Sequence, residues 1–170
     1  MHTHTHTRYQ QHCTMSSTLC LLLAVLVATT TAELTDECLY CMCYASSNGC
    51  VMPDPTCRND GWGELCGPWA ITEPYWEDGG HLLGDYYKCT KDWECNEKTV
   101  RHYMEKYVKD PTATCEKYAR THVGGPWGSD ADYTLEYWWE VEDCLDHGLY
   151  TRPTTTTPHR TTTAPTNEGY

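Results

Sequence analysis

Residues 38–50 read CLYCMCYASSNGC and place four cysteines in one short segment. Cys38 and Cys41 are three positions apart, a spacing that puts both side chains on one face of a helix. We expect Asp36 to cap this helix and Gly49 to end it. The segment therefore predicts a short, cysteine-rich helix at the start of a folded domain.

The residues that precede this helix are typical of an export signal. Residues 19–28 read LCLLLAVLVA, an apolar run that is too short to span a bilayer and has the length of a signal-peptide core. We expect cleavage after Ala32, so that residues 1–32 leave the mature chain. Met15 begins a conventional signal, which makes residues 1–14 an upstream extension. The composition thus predicts a secreted, extracellular protein.

Cysteine usage favours disulfide bonds over a metal site. The leader contains two of the 12 cysteines, and an even number remains, as expected for a disulfide framework in a secreted chain. The spacing of Cys38, Cys41 and Cys43 also suits zinc, but no second Cys-x-x-Cys and no His-x-x-x-His follows. We therefore expect no metal. We also expect no cofactor, because residues 124–126 lack a phosphate-loop pattern.

The charge of the chain excludes some partners. Its 170 residues include 24 acidic and 12 basic side chains, which gives a formal net charge of −12. Nucleic acids and anionic membranes both need a basic surface, so we expect neither as a partner. Residues 151–170 are rich in Thr and Pro and predict a disordered tail, with or without O-linked sugars. Residues 33–150 remain as a single domain.

Helical periodicity predicts three further helices in this domain. They cover residues 97–110, 112–122 and 133–144. We expect Asn96 to cap the first, Pro111 to end it, and Asp132 to cap the third. The third helix is expected to direct four side chains into the core: Leu135, Trp138, Trp139 and Cys144. Residues 51–67, which are rich in Pro, Gly and Asp, predict loops and short strands.

Four later motifs give the sequence a family resemblance. They are CGPWAITEPYW at 66–76, YMEKY at 103–107, YARTHVGGP at 118–126, and YW at 137–138 followed by Cys144. With the opening cysteine segment, they resemble the ordered motifs of invertebrate-type (i-type) lysozymes, the family that includes leech destabilase. The resemblance covers residues 37–145. It implies a lysozyme-like α+β fold, mostly helical, with a small irregular β region and stapling by disulfide bonds.

The resemblance also implies a disulfide pairing, which the sequence alone leaves open. The expected pairs are Cys38–Cys115, Cys41–Cys144, Cys43–Cys50, Cys57–Cys66 and Cys89–Cys95. The family has further cysteines at four places where this chain has Gly79, Thr99, Pro111 and Ser129. The absence of these four cysteines is the result expected if two whole disulfide bonds were lost.

Family members hydrolyse glycosidic bonds with a Glu as general acid and an Asp as nucleophile or stabiliser. The resemblance assigns the Asp to Asp60, although a lone Asp before a Gly is also a common turn residue. It assigns the Glu position to Ser46. Protonation of the leaving oxygen is worth about 10²–10⁴-fold in rate, so we expect impaired hydrolysis. Glu37 and Glu64 are the acids that remain as alternative donors.

The isopeptidase activity credited to destabilase-like members is not expected here. The family's serines lie just after the catalytic Asp, and this chain has Gly63 and Leu65 at those places. His122 matches the family's motif His but cannot perform acyl transfer alone. It is therefore either a helix-end histidine with satisfied hydrogen bonds or a residue that contacts sugar.

The resemblance implies that the partner is bacterial peptidoglycan or a chitin-like oligosaccharide. The candidate sugar-contacting residues are Trp69, Ile71, Thr72, Tyr75, Tyr103, His122, Gly124 and Gly125. Aromatic residues in such positions are also typical of a core. Two functions stay open: a monomeric, impaired peptidoglycan hydrolase, or a non-catalytic saccharide-binding or defence protein on the same scaffold. The negative charge opposes steering towards anionic cell walls in either case.

Overall fold

The computed structural model describes residues 33–61 and 63–151, which form six α-helices and one two-stranded sheet. The helices are α1 (Asp36–Ser47), α2 (Glu73–Asp78), α3 (Tyr86–Lys91), α4 (Trp93–Tyr107), α5 (Cys115–Gly124) and α6 (Leu135–Asp146). The antiparallel strands are β1 (Cys57–Asn59) and β2 (Glu64–Cys66). The prediction of a mostly helical fold with a small β region is confirmed. The predicted leader, and the predicted tail beyond Thr151, lie outside the described residues.

Disulfide bonds connect α1 to later helices of the fold. Within the described residues, α1 packs against α6 and α5, and a disulfide bond joins it to each. The five bonds are Cys38–Cys115, Cys41–Cys144, Cys43–Cys50, Cys57–Cys66 and Cys89–Cys95. These are the pairs that the resemblance implied. No helix in residues 33–61 and 63–151 is long and apolar enough to cross a membrane.

The N-terminus of α1 differs from the prediction. The Thr35 hydroxyl accepts a hydrogen bond from the Cys38 amide at 3.1 Å, so Thr35 is the cap and Asp36 is the first helical residue. At the other end, Asn48 rather than Gly49 adopts the left-handed conformation that ends the helix. Asn tolerates this backbone geometry better than most residues, which explains the one-residue shift.

The predicted cap of α4 was wrong as well. The Asp92 carboxylate accepts a hydrogen bond from the Cys95 amide at 2.8 Å, so α4 begins at Trp93. Asn96 is fully buried inside the helix, where its side-chain oxygen accepts a hydrogen bond from the Trp69 amide at 3.3 Å. The helix ends at Tyr107, before Pro111. A tertiary contact therefore explains an Asn that local sequence rules assigned to a cap.

The last two helices also begin later than predicted. Asp110 accepts hydrogen bonds from both the amide and the hydroxyl of Thr112, which forms a turn ahead of α5. Asp132 opens a short 3₁₀ turn, Asp132–Thr134, rather than capping α6. On α6 the fully buried side chains are Val141 and Cys144, whereas Trp139 is 59% exposed. The prediction that Trp139 faces the core was wrong, because that position lies on the opposite side of the helix.

Candidate functional site

A cavity of about 330 Å³ lies where β2, α2, α4 and the end of α5 meet. Seven of the eight predicted sugar-contacting residues line it: Ile71, Thr72, Tyr75, Tyr103, His122, Gly124 and Gly125. They come from three separate segments, residues 71–75, Tyr103 and residues 122–125, and the fold brings them to one cavity. The cavity is therefore the candidate site for a ligand that offers both apolar faces and hydroxyl groups.

Trp69 is the one predicted sugar-contacting residue that does not line this cavity. Its side chain is buried, and its indole N–H donates to the Leu39 carbonyl at 3.0 Å. The indole ring packs edge-on against Trp93 and borders a second cavity of about 350 Å³. Trp69 contributes to the candidate site only through its backbone carbonyl, which holds His122. Its side chain belongs to the core, as large aromatic residues commonly do.

Two hydrogen bonds fix the tautomer of His122. Its Nε2 lies 2.9 Å from the Trp69 carbonyl oxygen, which can only accept, so Nε2 carries the proton. Nδ1 lies 3.0 Å from the Tyr75 hydroxyl and accepts its proton. Burial lowers the pKa of His122 to about 4, despite the opposing effect of the Trp69 carbonyl. His122 is thus neutral at neutral pH and orients Tyr75.

Tyr75 and Tyr103 form the aromatic wall of the cavity. Their rings are stacked with centroids 3.6 Å apart and an interplanar angle of 12°. Burial raises the pKa of both phenols, that of Tyr103 to about 12, so both remain protonated. The Tyr75 proton is used by His122. The Tyr103 hydroxyl has no hydrogen-bond partner among residues 33–61 and 63–151, and the residue lines the cavity although only 4% of its surface is exposed.

Asp78 also lines the cavity and brings a negative charge to it, which the sequence analysis did not predict. Its carboxylate accepts hydrogen bonds from the Lys106 ammonium and the Tyr107 hydroxyl, each at 2.7 Å. These two bonds, chiefly the one from Lys106, lower the pKa of Asp78. The contact joins the end of α2 to the YMEKY segment, and no local pattern predicts a pairing between elements so far apart in sequence.

Ser46, at the general-acid position by resemblance, donates its proton within the protein. The Tyr137 hydroxyl donates its single proton to the Met42 carbonyl at 2.7 Å. Ser46 Oγ lies 3.0 Å from that hydroxyl oxygen, and since Tyr137 has no second proton, Ser46 is the donor. The Ser46 carbonyl in turn accepts from the Arg58 guanidinium at 3.2 Å. Ser46 is therefore tied to α6 and to β1.

Asp60 lies in the turn between β1 and β2. Its Oδ1 accepts from the Gly63 amide at 3.0 Å, and its own amide donates to the Gly63 carbonyl at 3.2 Å. Asp60 is exposed and is not among the residues that line the cavity. The hairpin nevertheless links Asp60 to the cavity and to Ser46. Leu65 lines the cavity and pairs across the strands with Arg58, whose guanidinium donates a hydrogen bond to the Ser46 carbonyl.

The two alternative acids are also placed outside the cavity. Glu37 is exposed in the first turn of α1. Glu64 is exposed on β2, and its carboxylate accepts a hydrogen bond from the Tyr87 hydroxyl at 2.8 Å. Glu64 also groups with Cys57 and Cys66 as potential metal ligands, but those two sulfurs are bonded to each other. This donor set does not fit a metal ion, because a disulfide offers no thiolate.

Comparison with known protein families and sequences gives one consistent result. The Destabilase family model matches residues 35–144. A lysozyme from Ostrea edulis is 40% identical over 132 residues, which cover 76% of this chain and 95% of that protein. An invertebrate-type lysozyme from Ruditapes philippinarum is 39% identical over 104 residues, which cover 60% of this chain and 75% of that protein.

Solved structures give the same result. The Tapes japonica lysozyme superposes with a TM-score of 0.59 at 35% identity, over 66% of this chain and 92% of that one. A chain from the complex of Aeromonas hydrophila PliI with Meretrix lusoria lysozyme superposes with a TM-score of 0.58 at 30% identity, with the same coverage.

Proposed function

Since this chain belongs to the destabilase family, which includes the invertebrate-type lysozymes, we propose that it binds the β-1,4-linked saccharide of bacterial peptidoglycan and hydrolyses it only weakly. The observation that carries the weak hydrolysis is the hydrogen bond from Ser46 to Tyr137. At the position where the family has a proton-donating Glu, this chain has a hydroxyl whose proton points into the protein.

The cavity supports the binding half of the proposal. Tyr75 and Tyr103, which stack on each other, contribute an aromatic part of its lining, and the Tyr103 O–H makes no hydrogen bond within the described residues. Asp78 is held in its charged form and accepts hydrogen bonds from sugar hydroxyls. Gly125 leaves backbone atoms uncovered by a side chain at the cavity edge. Aromatic faces combined with a few fixed polar groups are what an oligosaccharide requires.

The supply of protons limits the hydrolytic half. Asp60 would stabilise positive charge on the sugar ring as the glycosidic bond breaks, but the departing oxygen also needs a proton. Ser46 does not supply it, because an alcohol is a very weak acid and the Ser46 proton is donated to Tyr137. His122 is neutral and uses its only N–H for the Trp69 carbonyl. A loss of about 10²–10⁴-fold in hydrolysis follows from a missing general acid.

We further propose that the protein is exported and acts outside the cell as a monomer without a cofactor. The leader-like run at residues 19–28 supports export, as do five disulfide bonds, which persist in oxidising compartments. Both the enzyme and the binding-only alternative are compatible with this location. Ser46 accounts for slow catalysis, and the retention of Asp60 favours slow catalysis over binding alone.

Two assays on the same preparation test the proposal. Sedimentation with insoluble peptidoglycan measures binding, and the clearing of a Gram-positive cell-wall suspension measures hydrolysis. We expect the protein to sediment with the wall and to clear it about 10²-fold or more slowly than the lysozyme from Ruditapes philippinarum. Absence from the pellet would refute the binding, and clearing at the rate of that lysozyme would refute the impairment.

Asp60→Asn separates slow catalysis from binding alone. We expect this variant to sediment like the wild type and to lose the residual clearing. The matched control is Asp146→Asn, an exposed carboxylate at the last turn of α6, which should change neither assay. If the wild type binds but clears nothing above the level of Asp60→Asn, the binding-only alternative is correct.

A further inference from the structure

We propose that Trp127 forms an additional saccharide-binding position beside the cavity, which only longer glycan chains reach. The inference rests on the proposed function and specifies how far the ligand extends. Trp127 is 95% exposed, more than any other large apolar side chain in residues 33–61 and 63–151. Tryptophan is highly buried on average, so an indole left almost wholly in water needs an explanation.

The loop that carries Trp127 is held by close contacts on either side of it. The Gly128 amide donates to the Gly125 carbonyl at 3.3 Å, and a Cβ at Gly128 would lie 2.0 Å from the Gly124 carbonyl oxygen. Ser129 is buried and accepts a hydrogen bond from Lys117 at 2.6 Å. The backbone therefore presents the indole to solvent in a defined place, which lowers the entropy lost when a ligand binds.

The segment that carries Trp127 adjoins the cavity, because the Gly128 amide bonds to the carbonyl of Gly125, which lines it. We define the rim as Val123, Trp127 and Tyr133, which are 41%, 95% and 69% exposed. Val123 also lines the cavity, and Tyr133 donates a hydrogen bond to the Gly124 carbonyl at 3.4 Å. Trp127 follows Gly125, another lining residue, by two positions. A saccharide chain that fills the cavity would meet the rim as it leaves.

The chemistry of the rim suits a saccharide better than a charged surface. The C–H bonds of a β-linked pyranose form an apolar face that packs on an indole ring, while its hydroxyls bond to neighbouring carboxylates. Asp130 and Asp132 supply exposed carboxylates next to the rim. The two nearby cations are already paired, Lys117 with Asp130 and Arg120 with Glu116. Among residues 33–61 and 63–151, no unpaired cation lies beside the rim in the sequence, which disfavours an anionic membrane as the partner.

Isothermal titration with N-acetylglucosamine oligomers tests the proposal. The probes are the disaccharide, which is expected to occupy the cavity alone, and the hexasaccharide, which is long enough to extend beyond it. We expect Trp127→Ala to weaken hexasaccharide binding about tenfold and disaccharide binding less than twofold. The matched control is Trp139→Ala, an exposed indole on α6, which should change neither affinity. Trp127→Phe should recover part of the loss.

The outcomes separate this inference from the proposed function. If the wild type binds neither oligomer, both fail. If the wild type binds the hexasaccharide and Trp127→Ala binds it equally well, only the inference about Trp127 fails. Binding of the wild type to phosphatidylserine vesicles that Trp127→Ala abolishes, with unchanged hexasaccharide affinity, would assign the indole to a membrane and overturn the proposal. Since Trp127 packs against little, all variants should retain the wild-type melting temperature.

Discussion

Ser46 Oγ and the Tyr137 hydroxyl oxygen lie 3.0 Å apart, and the Ser46 proton is the one that joins them. Tyr137 has already given its own proton to the Met42 carbonyl. Burial also raises the pKa of Tyr137, so this phenol stays protonated and keeps the arrangement in place. A chain of hydrogen bonds therefore runs from Ser46 through Tyr137 to the Met42 carbonyl, so the Ser46 proton is used within the protein.

Ser46→Glu should raise the rate of wall clearing under the proposed function, because it places a carboxylic acid at the position that the resemblance assigns to the family's general acid. We expect an increase of at least about tenfold, within the range that general acid catalysis supplies. The increase should disappear in the double variant with Asp60→Asn. Ser46→Ala is the control that breaks the contact with Tyr137 without adding an acid, and it should leave clearing at the wild-type level. An equal increase in Ser46→Ala would refute the interpretation.

His122 should make stability depend on pH between about 6.5 and 4. Its pKa is lowered to about 4 in the folded protein, so the unfolded chain binds the proton first as the pH falls from 6.5. The stabilisation is complete above pH 6.5, decreases as the pH falls towards 4, and changes no further below it. The full effect is about 3 kcal/mol, since each pKa unit is worth about 1.4 kcal/mol.

Urea unfolding at a series of pH values measures this dependence. His122→Gln, whose amide can still donate to the Trp69 carbonyl, should remove the His122 part of the slope between pH 6.5 and 4. His147→Gln, the same substitution at an exposed histidine at the end of α6, is the matched variant for comparison. Identical slopes for wild type and His122→Gln would contradict the buried, neutral state of His122.

The Cys41–Cys144 bond should stabilise the fold more than the Cys89–Cys95 bond. The first closes a sequence separation of 103 residues and the second one of 6. Chain entropy in the unfolded state predicts losses of about 4–5 and about 2 kcal/mol when each pair becomes Ala–Ala. All four cysteines are buried, so the cavities left behind are similar. Equal losses of unfolding free energy would show that loop length does not govern these contributions.

The sequence predicted some levels of this structure better than others. Through the family resemblance, the ordered motifs predicted the mostly helical fold and all five disulfide pairs. Helix boundaries were less accurate, since Asn96 has the residue type of a cap and is instead buried against Trp69. The short helices α2 and α3 were not predicted, because six residues are too few for a periodic pattern.

The candidate site shows the same limit. Residues in recognisable motifs, such as Tyr75 and His122, were predicted to contact sugar, and they line one cavity. Trp69 lies in the same kind of motif, but its ring turns to the other side, and a motif does not reveal the direction of a side chain. The place of Asp78 in the cavity was not predicted, because its side chain pairs with Lys106, which lies 28 residues later. Only the packing of α2 on α4 brings the two together.

Asp78→Asn should weaken saccharide binding more than it weakens the fold. The substitution removes the negative charge that faces the cavity and replaces an acceptor for sugar hydroxyls with an amide. Because the Asp78 and Lys106 side chains are 40% and 48% exposed, solvent screens their attraction, and we expect a loss of less than about 1 kcal/mol in unfolding free energy. For the N-acetylglucosamine disaccharide we expect an affinity loss of about threefold to tenfold, as for one charged hydrogen bond. Asp146→Asn again serves as the control, and an unchanged disaccharide affinity in Asp78→Asn would remove this carboxylate from the binding site.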